Sequence, residues 1–336
     1  MKRRIFWIAL VFLLLPACLL AGEQPAEALS EIDTTAAGTS RLKILIGETT
    51  REYLLHLPSC DPDPEGYPVV FFFHGGGGTA RSAVQQTGWI DQAEDACFLA
   101  VFPEGLPRDP ARRSSFLNNP QTWNDGSGRF NANGDDLLFT EMVLDTLAVQ
   151  LPMDQTRIYA SGFSNGASMA FRVGADLEEK FAAVAPVAGA LWLEDVKLDQ
   201  PVSLIYLTGT ADSFNPLEGG PPRLAFRRRP RKGEKAKPPV ENHLKSWADA
   251  LACDPTPVER SALPEVKVID YTNCSQQAGL RAYLIEGLGH TWPGGERLLP
   301  AFLVGNTSQA VDAAAVIWDF FDAHPKPQAG NCILEK

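Results

Sequence analysis

Along the chain, short runs of consecutive apolar residues alternate with stretches whose apolar positions recur every three or four residues. Pro68-Val69-Val70-Phe71-Phe72-Phe73 is apolar throughout, which predicts a strand covered on both faces. Phe98 to Phe102, Arg157 to Ala160, Ala182 to Val187 and Val202 to Leu207 read the same way, and Leu280 to Ile285 is a further apolar strand. Nearer the start, Arg41 to Ile46 and Arg51 to Leu57 are separated by Gly47 and polar residues, in the manner of a hairpin. Helical periodicity fills several of the gaps, over 136–150, 165–180 and 240–251. A last helix is expected over 309–323, with Val311, Ala315, Trp318 and Asp322 along one stripe. Strand, helix, strand in repetition predicts a mostly parallel, doubly wound α/β sheet with helices on both faces, in a single domain.

The ends read differently. Lys2, Arg3 and Arg4 precede an apolar run from Ile5 to Leu20, so residues 1–21 are expected to be an export signal removed from the mature protein. Pro16 interrupts that run, and a bilayer asks for about 20 apolar residues, so stable membrane insertion after cleavage is not expected. Leu15-Pro16-Ala17-Cys18 is similar to a bacterial lipoprotein box but for Pro16. A lipid anchor on Cys18 is therefore the alternative to a freely secreted or periplasmic protein. Residues 22–40, rich in Ala, Glu, Thr and Ser, read as a flexible tether. The catalytic domain is expected over 41–324, followed by a tail over 325–336.

Composition narrows the partners. A chain of 336 residues, 45% hydrophobic, can bury one large α/β core. Its 30 basic and 41 acidic side chains give a net charge of −11, which argues against nucleic acid as the main partner. One segment breaks the trend: residues 223–237 carry eight Arg or Lys against Glu234, inside a proline-rich insertion over 221–239. It reads either as a solvated loop or as a docking patch for an anionic surface or substrate. Export permits disulfides among the six cysteines. Cys253 and Cys274 flank one strand region and pair best, Cys60 with Cys97 is a second candidate, and Cys332 has no evident partner. No C-x-x-C spacing occurs, so no metal site is expected.

The chemistry lies at the ends of the predicted strands. Gly162-Phe163-Ser164-Asn165-Gly166 matches G-x-S-x-G between a strand and a helix, the context of a nucleophile elbow, where a sharp turn exposes the serine hydroxyl. His74-Gly75-Gly76-Gly77-Gly78 follows a buried strand and has the form of an oxyanion loop, in which backbone N–H groups reach a substrate oxygen. Gly76 and Asn165 are the expected donors. A serine needs a base and an acid to orient that base. Of the five histidines, His290, in Gly289-His290-Thr291-Trp292-Pro293-Gly294, follows a late strand, and Asp212 lies just beyond the strand ending at Leu207. The order Ser164, Asp212, His290 is that of the α/β-hydrolase fold.

Taken together, the motifs at His74–Gly78, Gly162–Ala167, Gly209–Asp212, Asn215–Gly220 and Gly289–Gly294 resemble the polyhydroxybutyrate depolymerase and feruloyl esterase group, over roughly Arg41 to Ala323. The resemblance implies a secreted carboxylic ester hydrolase that needs no cofactor. It also implies that His74, Trp123 and Trp292 lie beside the acyl-binding cleft, and it supports a Cys253–Cys274 disulfide. On physical grounds alone, either tryptophan serves equally well as core packing. Two departures stand out: Gly76 occupies a position where many members of the group have cysteine, and the basic insertion is unusual. The substrate is expected to be a small aryl or acyl ester, a polyester oligomer, or an acetylated plant polysaccharide. A silent binding protein on the same fold is the reading from a different class, and a fluorophosphonate probe separates the two by whether it labels Ser164.

Overall fold

The computed structural model describes residues 31–34, 36–131, 134–222 and 235–327. The leader with Cys18, the first part of the tether, most of the basic insertion (223–234) and Cys332 lie outside the described residues. Twelve strands are present among them: β1 (Gly38–Ile46), β2 (Thr49–Leu57), β3 (Tyr67–Phe73), β4 (Leu99–Pro103), β5 (Leu106–Pro107), β6 (Gln121–Thr122), β7 (Met153–Phe163), β8 (Ala183–Val187), β9 (Ser203–Gly209), β10 (Val258–Leu263), β11 (Val266–Tyr271) and β12 (Leu280–Ile285). The helices are α1 (Ala80–Thr87), α2 (Trp89–Ala96), α3 (Asp136–Gln150), α4 (Asn165–Asp176), α5 (Val240–Ala250), α6 (Ala301–Val304) and α7 (Ala313–Asp322).

Ten strands form one sheet in the order β1-β2-β4-β3-β7-β8-β9-β12-β11-β10, and β5 and β6 make a small separate ladder. The six central strands run parallel, with an antiparallel pair at each edge. Burial explains the apolar runs. All seven residues of β3 are buried, with Val69, Phe71 and Phe73 in one core and Val70 and Phe72 in the other, the two-residue period of a strand covered on both sides. The first core is closed by α3, α4 and α5 through Val143, Met169 and Trp247. The second is closed by α1, α2 and α7 through Ala83, Trp89 and Ile317. At the far edge, β10 (Val-Glu-Arg-Ser-Ala-Leu) is exposed along its whole length, and its charges discourage pairing with another chain.

Two boundaries differ from those expected, and two helices were not expected. Ordered structure reaches back into the supposed tether: β1 starts at Gly38, and Ile32 is buried with its N–H donated to Gln150 Oε1. The last helix starts at Ala313 rather than 309, because the Asp312 carboxylate accepts the Ala315 N–H and caps it there. Its buried face consequently runs through Ala314, Ile317, Trp318 and Phe321, while Asp322 is exposed. Helices α1 and α2 are short and polar enough to escape periodicity. They are held by a capping box between Thr79 and Ser82 and by left-handed Gly88 (φ 73°) at their junction.

Two disulfides are formed, Cys60–Cys97 and Cys253–Cys274. Among the described residues no helix is long and apolar enough to cross a membrane.

Candidate active site

From β3 the chain steps to β4 on one side and then returns to β7 on the other. In an open parallel sheet this switch point leaves a crevice at the carboxyl ends of the strands, where ligands bind. Phe73 of β3 is in register with Gly162 of β7, so the loop beginning at His74 faces the turn that carries Ser164.

That turn has a steric requirement. Ser164 sits at φ 57°, ψ −115°, a sparsely populated region that persists only where the surroundings enforce it. A Cβ on Gly162 would lie 2.2 Å from Gly166 O, and one on Gly166 would lie 2.0 Å from Phe73 O. Both glycines of G-x-S-x-G are thus set by backbone packed against backbone. Ser164 N–H is donated to Val187 O at 2.9 Å, and α4 begins at the next residue.

Ser164 Oγ lies 2.8 Å from His290 Nε2, and His290 Nδ1 lies 2.8 Å from Asp212 Oδ2. The other Asp212 oxygen, Oδ1, accepts the N–H groups of Phe214 and Asn215, each at 2.8 Å. Burial works to raise the Asp212 carboxyl. The charge of His290 and its hydrogen bond, with Lys237 and the Asn215 amide, outweigh that and hold it below the usual carboxylate range. An ionised carboxylate only accepts, so Nδ1 carries the imidazole proton and Nε2 is left to accept from the serine hydroxyl. The His290 backbone is fixed by its N–H to Val304 O. Its ring is held between Phe214 (centroids 4.7 Å, near-parallel) and Phe163 (4.8 Å). These two phenylalanines were not picked out from the sequence. Phe163 is the variable position of the serine motif and Phe214 follows Asp212 by two, so adjacency to the motifs was the only available signal.

The glycine loop is braced by His74. Gly105 N–H can only donate, and it meets His74 Nε2 at 3.0 Å, so the ring proton is on Nδ1, which lies 2.8 Å from Gly75 O. Burial pushes His74 down to about 4, so the ring is neutral and both nitrogens serve the backbone. Gly77 N–H donates to Gln121 O and Gly78 N–H to Gly75 O. Hydrogen bonds therefore anchor the loop that lacks the cysteine. Among the described residues neither Gly76 N–H nor Asn165 N–H has a partner, and the Cβ position of Gly76 is 3.6 Å from Asn165 Cβ. Two unengaged amides beside the serine suit a developing oxyanion.

Trp123 is fully buried. Its indole N–H donates to His74 O at 2.8 Å and its backbone N–H to Asn165 Oδ1 at 2.8 Å. It ties the glycine loop to the first residue of α4 from behind, off the cavity wall. Asn165 Nδ2 donates to buried Asp125 at 2.8 Å, which completes the bracket. Trp292 is likewise buried, edge-on to Phe72 at 5.2 Å. The structure thus brings Ser164, Asp212, His290, Gly76, Asn165 and His74 to one place, and sets both tryptophans behind it.

A cavity of about 610 Å³ opens over Ser164, with Phe116, Phe130, Phe163, Phe214, Leu298 and Leu303 among its walls. That volume is typical of a small-molecule site.

The chain is 29% identical over 300 residues to a putative esterase, NocK, of Nocardia uniformis subsp. tsuyamanensis, covering 84% of this chain and 83% of that protein. It is 27% identical over 207 residues to feruloyl esterase D of Neurospora crassa, covering 61% of this chain and 67% of that protein. Among solved structures, an acetyl xylan esterase from Aspergillus awamori shares the fold, with a TM-score of 0.52 at 14% identity, over 75% of this chain and 94% of that one. The model of the family described as putative esterase matches residues 45–214, about half of the chain. The chain belongs to this esterase family, and it is a carboxylic ester hydrolase of the α/β-hydrolase fold.

Proposed function

We propose that this protein is an exported serine esterase in which Ser164 is the nucleophile, His290 the general base and acid, and Asp212 the residue that orients His290. The observation that carries the reading is the unbroken pair of 2.8 Å contacts from Ser164 through His290 to Asp212, on a serine held at a strained turn. As the hydroxyl attacks the ester carbonyl, His290 Nε2 takes its proton and the carbonyl oxygen gains charge. Gly76 and Asn165 N–H groups receive that charge, a contribution worth roughly a hundredfold or more in rate for each such donor. Collapse expels the alcohol, protonated by His290, and leaves an acyl-enzyme. Water activated by the same imidazole then releases the acid.

The aromatic walls of the cavity favour aryl or short acyl esters, and feruloyl esters, hydroxyalkanoate oligomers and acetylated polysaccharides are the substrates to try first. Export is supported by the basic start and apolar run of residues 2–20 and by the two disulfides, which form in oxidising compartments. Ser164→Ala is expected to abolish p-nitrophenyl ester hydrolysis and fluorophosphonate labelling while the protein stays folded. Wild-type rates in that variant would remove Ser164 from the mechanism.

A further inference from the structure

The cavity over Ser164 carries charge of one sign. Arg129, Lys237 and Arg297 line it, and among the described residues no aspartate or glutamate does, although acidic residues outnumber basic ones by 41 to 30 in the chain. Asp212 and Asp125 lie off the lining and are engaged. Asp212 is held by His290 and two backbone amides, and Asp125 accepts from Ser127 and Asn165 and lies 3.9 Å from the Arg129 guanidinium.

Lys237 is the most informative of the three cations. It closes the basic segment, yet it is 9% exposed. A two-way backbone bridge to Gly220 fixes its main chain, N–H to O at 2.9 Å and O to N–H at 2.8 Å. Its Nζ donates to Asn215 Oδ1 at 3.1 Å, and Asn215 Nδ2 in turn donates to Tyr206 OH at 2.9 Å. Among the described residues no carboxylate lies within ion-pair distance of Nζ. An ammonium has three N–H donors, and among the described residues only one of these has an acceptor. Burial pushes the group down to about 8, with Asp212 pulling the other way. A buried cation with spare donors and, among the described residues, no carboxylate within ion-pair distance is costly to keep, and an anion entering the cavity relieves that cost.

We infer that the site takes an ester that bears a free carboxylate away from the scissile bond, and that Lys237 is the specificity-determining residue that binds it, with Arg129 and Arg297 on the same walls. The inference rests on the reading of Ser164 as nucleophile only in placing the scissile ester near that serine. Recognition of the carboxylate is a separate property and is tested separately.

Two matched pairs of substrates carry the test. Monomethyl adipate against the methyl ester of its monoamide puts the charge on the acyl side, and 3-acetoxypropanoate against 3-acetoxypropanamide puts it on the alcohol side. For wild-type enzyme at pH 7, one pair is expected to show kcat/KM for the acid above that for the amide by on the order of tenfold or more, the scale of a charge-assisted hydrogen bond, and mainly through KM. Lys237→Met is expected to bring that ratio towards one, and Lys237→Arg to keep most of it. Calorimetric binding of the same ligands to the Ser164→Ala protein reads the preference without turnover. Tighter binding of the acid with no turnover by wild type keeps the carboxylate site and sinks the serine mechanism. Equal binding and equal kcat/KM within both pairs overturns the inference and leaves the serine mechanism standing. A Lys237→Met protein that loses activity on acid and amide by one common factor also overturns it, because the lysine then serves Asp212 alone. Should that variant fail to fold, the wild-type ratios and the Ser164→Ala binding decide the matter.

Discussion

Replacing Asp212 by asparagine keeps the shape of the side chain and changes only what it can accept. Asp212 has two jobs on two oxygens: Oδ1 receives the Phe214 and Asn215 N–H groups, and Oδ2 faces His290 Nδ1. An asparagine has one oxygen for these two places. With its NH2 towards Phe214 and Asn215, one part-buried and one buried amide lose their acceptor, at about 1–3 kcal/mol for the buried one. The oxygen therefore stays with the amides and the NH2 turns to His290. An NH2 only donates there, so Nδ1 becomes the acceptor and the ring proton moves to Nε2, facing Ser164 Oγ. The base is then protonated where it must accept.

The expected result is a fall in kcat on p-nitrophenyl butyrate of about 10⁴-fold at pH 7, which is about 5.5 kcal/mol of transition-state stabilisation. Fluorophosphonate labelling of Ser164 should slow in step, since it uses the same proton transfer. The fold should persist, checked by circular dichroism and the melting transition. A variant that retains more than about a tenth of wild-type kcat would refute the tautomer argument, and with it the assignment of Asp212 as the orienting acid.

Further predictions concern what supports the site. The buried pair Arg51–Asp136 (2.8 Å, 3% and 1% exposed) joins β2 to α3, and Asp136 also accepts Asn124 N–H at 2.7 Å beside the Trp123 bracket. Asp136→Ala strands a buried guanidinium and should cost about 3–5 kcal/mol in urea unfolding, and a loss under about 1 kcal/mol would show that the pair contributes little. Cys60→Ser with Cys97→Ser opens a closed loop spanning 37 positions, so stability should fall by about 4 kcal/mol on the chain-entropy estimate, read by denaturant unfolding beside the oxidised parent. Buried His74 is pushed down to about 4, so between roughly 6.5 and that value the unfolded chain binds the proton and the folded one does not. The His74 contribution to stability should therefore drop on acidification through this window and level off below it, with buried His243, pushed down to about 3, adding to the wild-type slope. His74→Gln should remove up to about 1.4 kcal/mol per pH unit of that slope, and an unchanged slope would show that His74 is not the group responsible.

The parts of the site legible in the sequence are those in which backbone geometry dictates residue type. Gly162 and Gly166 are glycines because a Cβ on either would meet a carbonyl oxygen at 2.2 or 2.0 Å, and that demand is local, so it leaves a spaced motif. The buried strands were legible for a similar reason: β3 touches both cores, and only an uninterrupted apolar run does that. The walls of the cavity obey no such local rule. Lys237 lies within a proline-flanked basic run, which in sequence reads either as a solvated loop or as an anion-docking patch. Only the bridge to Gly220 and the bond to Asn215 turn this one lysine inward. Trp123 was drawn towards the cleft by resemblance, while its hydrogen bonds to His74 and Asn165 put it behind the loop. Both cases follow from the same physics. A motif records the contacts a residue makes with its chain neighbours, whereas the direction of a side chain relative to a cavity depends on partners 22 to 49 positions away. Reaction type was therefore readable from the chain, and substrate preference, which those walls decide, was not.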